Sequence, residues 1–331
     1  MHKFYKITIG IMILIFRVHM LHGAEYGDLI CDYCKKNIIG RYIIQEKNVY
    51  HELCYKDYVQ LRCDYCNQTI SGSYNIDKGN NYHNICFREN ILEKCDVCFQ
   101  PIDGGYIKDI WNNIYHNYHR SKMPLCESCN RLISSTITNG GYAINNRRNI
   151  CNLCWGYTIK NTSEINQIYD YLHMQFTNLG IENIPKSIPI LLIDDKDELN
   201  RIAKVKLSDG IQGYTKYDYQ KIGNKKINER FTIYILSNLH NLNFRAVLAH
   251  ELLHVYLFNN NIKLKDSLIE GFCNLGSGFI YNMNIDDKIS QLKLESMMKD
   301  NHPEYGKGFR VMNAELEKKG WEYLIKNLEN Y

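Results

Sequence analysis

The chain has 331 residues, 45% of them hydrophobic, which is enough for two domains and a sizeable core and excludes a disordered protein. Its 40 basic and 36 acidic residues leave a net charge of +4 and are spread without long blocks, which argues against a dedicated nucleic-acid or membrane surface.

At the N-terminus, Lys3 and Lys6 precede an apolar run over 7–16, and a short segment then ends in Leu21-His22-Gly23-Ala24. This is the layout of a secretory signal over 1–24, and it predicts a secreted or exported protein with no stable membrane association once the segment is cleaved. The run is short for a bilayer span and Arg17 interrupts it, so an uncleaved anchor is the weaker alternative.

From residue 25 to about 158 one unit of four metal ligands repeats four times, at intervals of 32, 32 and 31 residues. The first two units are Cys31-x2-Cys34-x16-His51-x2-Cys54 and Cys63-x2-Cys66-x16-His83-x2-Cys86. The third is Cys95-x2-Cys98-x17-His116-x2-His119, and the fourth is Cys126-x2-Cys129-x21-Cys151-x2-Cys154. A Cys-x2-Cys knuckle aims two sulfurs at one point, and a second pair returning after a hairpin closes a tetrahedral shell with no open position. Turn and strand signals such as Gly40-Arg41-Tyr42-Ile43-Ile44 and Ser71-Gly72-Ser73-Tyr74 fall between the pairs and suit small β-hairpins. Four structural zinc ions are therefore predicted. A disulfide framework is the alternative that an exported chain would favour, but it gives the histidines no role. The units resemble LIM domains, which are protein-binding modules, although the gap of eight residues between Cys54 and Cys63 exceeds the two of a standard LIM pair.

After Trp155 the ligand pattern stops, and 159–331 reads as a separate α+β domain. An amphipathic helix is predicted over 163–177 with Ser163 as its N-cap, then strands over 188–193 and 231–236 separated by a Gly- and Lys-rich connection over 210–226. The strand over 231–236 is either an edge strand that pairs with an extended substrate or a plain sheet strand.

Asn243 can cap a helix containing His250-Glu251-Leu252-Leu253-His254. Positions i and i+4 share a helix face, so His250 and His254 can grip one zinc ion while Glu251 addresses a water on it as general base. A second helix carries Glu270 in the apolar stretch Leu268-Ile269-Glu270-Gly271-Phe272-Cys273, where an unpaired charge is costly, and Glu270 is assigned as the third ligand. An exposed glutamate at a helix start is the competing reading. Cys273 reads as a core residue, and Tyr305 reads as a packing aromatic with an oxyanion role as its alternative.

Fingers of this order followed by His250-Glu251-Leu252-Leu253-His254, Ile269-Glu270-Gly271-Phe272-Cys273 and Tyr305-Gly306-Lys307-Gly308-Phe309-Arg310 resemble the plant "DA-one" family of LIM-domain, ubiquitin-activated peptidases. The likeness runs from Cys31 nearly to the C-terminus. It implies tandem LIM-like fingers before a zincin-like metallopeptidase domain, with His250, His254 and Glu270 as zinc ligands and Glu251 as catalytic base. It also implies protein substrates, among them components of ubiquitin signalling. Plant members carry ubiquitin-interacting helices before the fingers and lack a secretory signal, whereas six residues separate Ala24 from Cys31 here. The combined expectation is an exported zinc peptidase acting on host proteins. A non-catalytic LIM-type scaffold is the alternative from another class.

Overall fold

The computed structural model describes residues 3–5, 10–13, 29–145, 148–205, 210–223 and 225–331. The predicted signal over 1–24 lies outside the described residues, apart from the short strands Lys3–Tyr5 and Gly10–Ile13. No helix among the described residues is long and apolar enough to cross a membrane. The protein is of mixed α+β class, and its packing divides it into two units, Met1–Ser121 and Lys122–Tyr331.

The first unit holds the first three ligand sets, and each is built in the same way. An antiparallel hairpin ends on a histidine ligand: Tyr42–Gln45 with Asn48–His51, Ser73–Asp77 with Asn80–His83, and Tyr106–Lys108 with Ile114–His116. A short helix then begins at the next residue and presents the last ligand, in Glu52–Cys54, Asn84–Cys86 and Asn117–Lys122. The first two hairpins close through Glu46-Lys47 and Lys78-Gly79, all four at positive φ, as the tight turn that matches strand twist requires. Small apolar clusters back the metal ligands, such as Ile70, Tyr74, Tyr82 and Phe87 in the second set. Clusters of this size cannot outweigh chain entropy alone, and an ion held by the four ligands would supply the balance.

The second unit contains the fourth ligand set together with everything that follows it. Its sheet orders Ile190–Ile193, Lys225–Leu236 and Gly213–Ile222, with the first pair parallel and the second antiparallel. Helices Thr162–Asn178, Asn241–Asn259 and Asp266–Met283 pack a core that includes Leu172, Phe176, Ile233, Ile235, Leu248, Leu252 and Phe272. Two devices bring the last two helices together at the site. The helix Asn241–Asn259 buries residues on nearly every side, and Gly276 lets Asp266–Met283 approach it, because a Cβ there would lie 2.7 Å from Ala249 O.

Several expectations are corrected. The strand over 231–236 is the plain sheet strand of its two readings, central and hydrogen-bonded on both sides, and not the edge; the edges belong to Ile190–Ile193 and to Gly213–Ile222, the latter falling in the stretch read as a connection. That stretch alternates weakly, with exposed polar residues beyond Tyr217, so it lacked a strand signature. The first long helix is capped by Asn161, which accepts from Glu164 N at 2.9 Å, in place of Ser163. The helix that carries His250 begins at Asn241, with His240 in place of Asn243 as its cap, because His240 Nδ1 accepts from Leu242 N at 3.3 Å.

Candidate metal centres and active site

Five groups among the described residues could hold a metal ion, and they are the five read from the sequence. Within each group the ligand atoms lie within 4.8 Å of one another. In a tetrahedral zinc site, bonds of about 2.3 Å to sulfur and 2.0–2.1 Å to nitrogen place two sulfurs about 3.8 Å apart and a sulfur and a nitrogen about 3.6 Å apart. His51 Nδ1 stands 3.4 Å from Cys34 Sγ and 3.8 Å from Cys54 Sγ. His83 Nδ1 stands 3.3 and 3.8 Å from Cys66 and Cys86, and Cys129 and Cys151 are 3.7 Å apart. All thirteen cysteines are free thiols, so these spacings match a shared ion and not a disulfide framework.

The surroundings fit the same reading. His51, His83 and His116 each turn Nε2 to a backbone carbonyl, of Asn37, Thr69 and Pro101, at 3.1, 3.1 and 3.2 Å. A carbonyl only accepts, so Nε2 carries the hydrogen and Nδ1 is left with the lone pair that a metal needs. Burial opposes ionisation of Cys31 and Cys63, but backbone N–H groups around each sulfur outweigh it and pull these thiols down to about 6, while burial and the neighbouring sulfurs push Cys54 and Cys86 up to about 11, as expected of sulfurs crowded together at one point.

The fifth group lies in the second unit. His250 and His254 project from one face of Asn241–Asn259, and Glu270 reaches them from Asp266–Met283. The two Nε2 atoms are 3.1 Å apart, Glu270 Oε2 is 3.3 Å from His250 Nε2, and Glu270 Oε1 is 3.6 Å from His254 Nε2. Tetrahedral zinc with nitrogen and oxygen ligands needs separations of about 3.3–3.4 Å, so this donor set fits the ion. Glu270 is therefore not an exposed residue at a helix start. The two histidines beside it hold its carboxyl far below the usual range against the effect of burial. Burial opposes the charge on His250, yet the hydrogen bond and charge of Glu270 raise its pKa. The cluster thus asks for positive charge at its centre.

Asn274, one turn beyond Glu270, went unremarked in the sequence. Its Nδ2 donates to Tyr305 O at 3.1 Å, which turns its Oδ1 toward His250 Nδ1 at 3.0 Å. That oxygen can only accept, so His250 carries its hydrogen on Nδ1 and presents the Nε2 lone pair to the cluster. The Glu270-x3-Asn274 spacing on one helix face was the available signal.

Glu251 is 3% exposed, and burial pushes its carboxyl above the usual range while His250, His254 and the Thr215 hydroxyl pull the other way. A cleft of about 970 Å³ opens on the group, lined by Gly213, Tyr214 and Thr215 of the edge strand and by His250, Glu251, His254, Glu270 and Tyr305. Cys273 is fully buried in the core. No protein-family model matches the chain, and no curated protein matches it.

Proposed function

We propose that the protein is a zinc-dependent endopeptidase with a zincin-like catalytic domain, related to the LIM-domain peptidases. The observation that carries the reading is the convergence of His250, His254 and Glu270 at tetrahedral separations, with Glu251 on the adjoining helical position, at the base of a cleft bordered by a sheet edge. The outer side of Gly213–Ile222 has backbone donors and acceptors that an extended peptide can meet.

A bound zinc ion supplies Lewis-acid polarisation of the scissile carbonyl and a nucleophilic water at neutral pH. His250, His254 and Glu270 would hold it, and Asn274 fixes the ring of His250. Glu251 takes a proton from the attacking water and returns it to the departing amine. Its burial suits a group that must both accept and release a proton near neutral pH. Substrates are proteins, with components of ubiquitin signalling in a host cell as the class that the resemblance implies. Leu53, Ile85 and Tyr118 stand exposed between the last two ligands of the first three sets, which suits the fingers to partner binding.

The test is cleavage of a protein substrate by the purified chain and by Glu251→Gln. The variant should keep its metal and lose activity by a factor of about 10² or more. Equal cleavage by both would end this mechanism, and a chain that binds metal without cleaving any protein would favour the scaffold.

A further inference from the structure

The two oxygens of the Glu251 carboxylate sit in different surroundings. Oε2 lies 2.8 Å from Thr215 Oγ1, and the same hydroxyl is 3.0 Å from Glu251 O. The backbone oxygen belongs to a helix interior and has its own amide donor, so the single hydroxyl hydrogen is free to serve the carboxylate. Thr215 is itself buried, at 6% exposure, and is held in the sheet opposite Ile233. Oε1 packs over Gly213, where a Cβ would stand 2.5 Å from it and 2.6 Å from Val247 Cγ1. Only glycine leaves Oε1 that space beside the cleft.

We propose that Thr215 is a positioning residue for the general base: its hydroxyl anchors Glu251 Oε2, so that Oε1, over Gly213, is the oxygen that exchanges protons in the cleft. The idea rests on the hydrolase reading above. In the cycle, Oε1 takes a proton from water as the water oxygen attacks the peptide carbon. The same proton then passes to the amine nitrogen as the C–N bond breaks, leaving the carboxylate as it began. The Thr215 hydroxyl keeps its hydrogen on Oγ1 and donates it to Oε2 throughout. A buried carboxylate without this anchor would have more than one rotamer open to it, and each turn away from the cleft removes the base. The edge strand thereby carries two duties, bordering the cleft and aiming the base.

Thr215→Val keeps the shape and removes the hydroxyl, Thr215→Ser keeps the hydroxyl, and Gly213→Ala crowds Oε1. Cleavage of one peptide, zinc content and the carboxyl ¹³C resonance of Glu251, assigned by its loss in Glu251→Gln, are read for each. Thr215→Val should lower kcat roughly tenfold or more with KM within about twofold and zinc unchanged, and should move the Glu251 resonance. Thr215→Ser should restore both, and Gly213→Ala should lower kcat in the same manner. An unchanged kcat and resonance in Thr215→Val would overturn the proposal, as would equal losses in the valine and serine variants. A wild-type chain that cleaves nothing while its Glu251 resonance still answers to Thr215→Val would sink the hydrolase reading and leave the anchor standing.

Discussion

In each of the first three metal sets the residue after the leading cysteine is an aspartate whose carboxylate accepts a backbone N–H of its own hairpin: Asp32 from Val49, Asp64 from Asn81 and Asp96 from Ile114, at 2.6–2.7 Å. In the fourth set that position is Glu127, and its carboxylate instead grips Arg148 through two bonds of 2.6 and 3.2 Å. Arg148 is fully buried and also donates to Ser237 O at 2.6 Å and to Asp194 O at 3.3 Å, at the ends of the central and outer strands of the sheet. Lys293, which borders the cleft, donates to Glu127 O at 3.2 Å. Thr158 bridges His240, the cap of the helix that carries His250 and His254. One methylene, from aspartate to glutamate, accompanies a change of partner from a backbone amide of the unit's own hairpin to a side chain on that hairpin, Arg148, which in turn ties the module to the domain behind it. Similar ligand spacing thus serves modules that close on themselves and one that is built into a larger core. The burial agrees: all four ligands of the fourth set are buried, whereas the first three sets keep ligands partly exposed.

The widest gap between the two kinds of module should come from removing a ligand. A structural zinc site contributes on the order of 10 kcal/mol. Cys129→Ser should therefore unfold much of the second unit and abolish peptide cleavage. Cys66→Ser should unfold its own finger while the second unit keeps its melting transition and its cleavage of a short peptide. Far-UV spectra, thermal melts and peptide turnover of the two variants decide it, and equal losses would break the distinction.

A smaller difference is expected when the metals stay and the carboxylate partners go. Arg148→Met leaves the nearly buried Glu127 with only Lys196, 3.9 Å away, and removes the donors to Asp194 O and Ser237 O, which should cost about 3 kcal/mol in denaturant unfolding of the second unit. Asp96→Ala removes one partly buried acceptor, and its cost should be about 1 kcal/mol, confined to the third finger. If Arg148→Met proves as mild as Asp96→Ala, the fourth set is no more integrated than the others.

Much of this was legible in the sequence because ligand chemistry is local. A Cys-x2-Cys knuckle and an i, i+4 histidine pair fix geometry within one turn, and Glu270 stood out as a charge among Leu268, Ile269 and Phe272. What spacing could not reveal depends on tertiary partners. Thr215 sits in a strand without clean alternation, and nothing in Gly213-Tyr214-Thr215 points to a glutamate 36 residues away. Arg148, three residues before Cys151, carries no sequence signal of its own and becomes the most buried cation of the second unit's described ion pairs only because three separate segments converge on it. The central place of the strand over 231–236 likewise depended on a parallel partner far away in sequence.

The central claim is that His250, His254 and Glu270 hold a fifth ion, distinct from the four finger ions. Elemental zinc per folded chain, measured for the wild type and for Glu270→Ala, tests it most directly. The account predicts five ions falling to four while the finger ligands are untouched. Four ions in both proteins would contradict it.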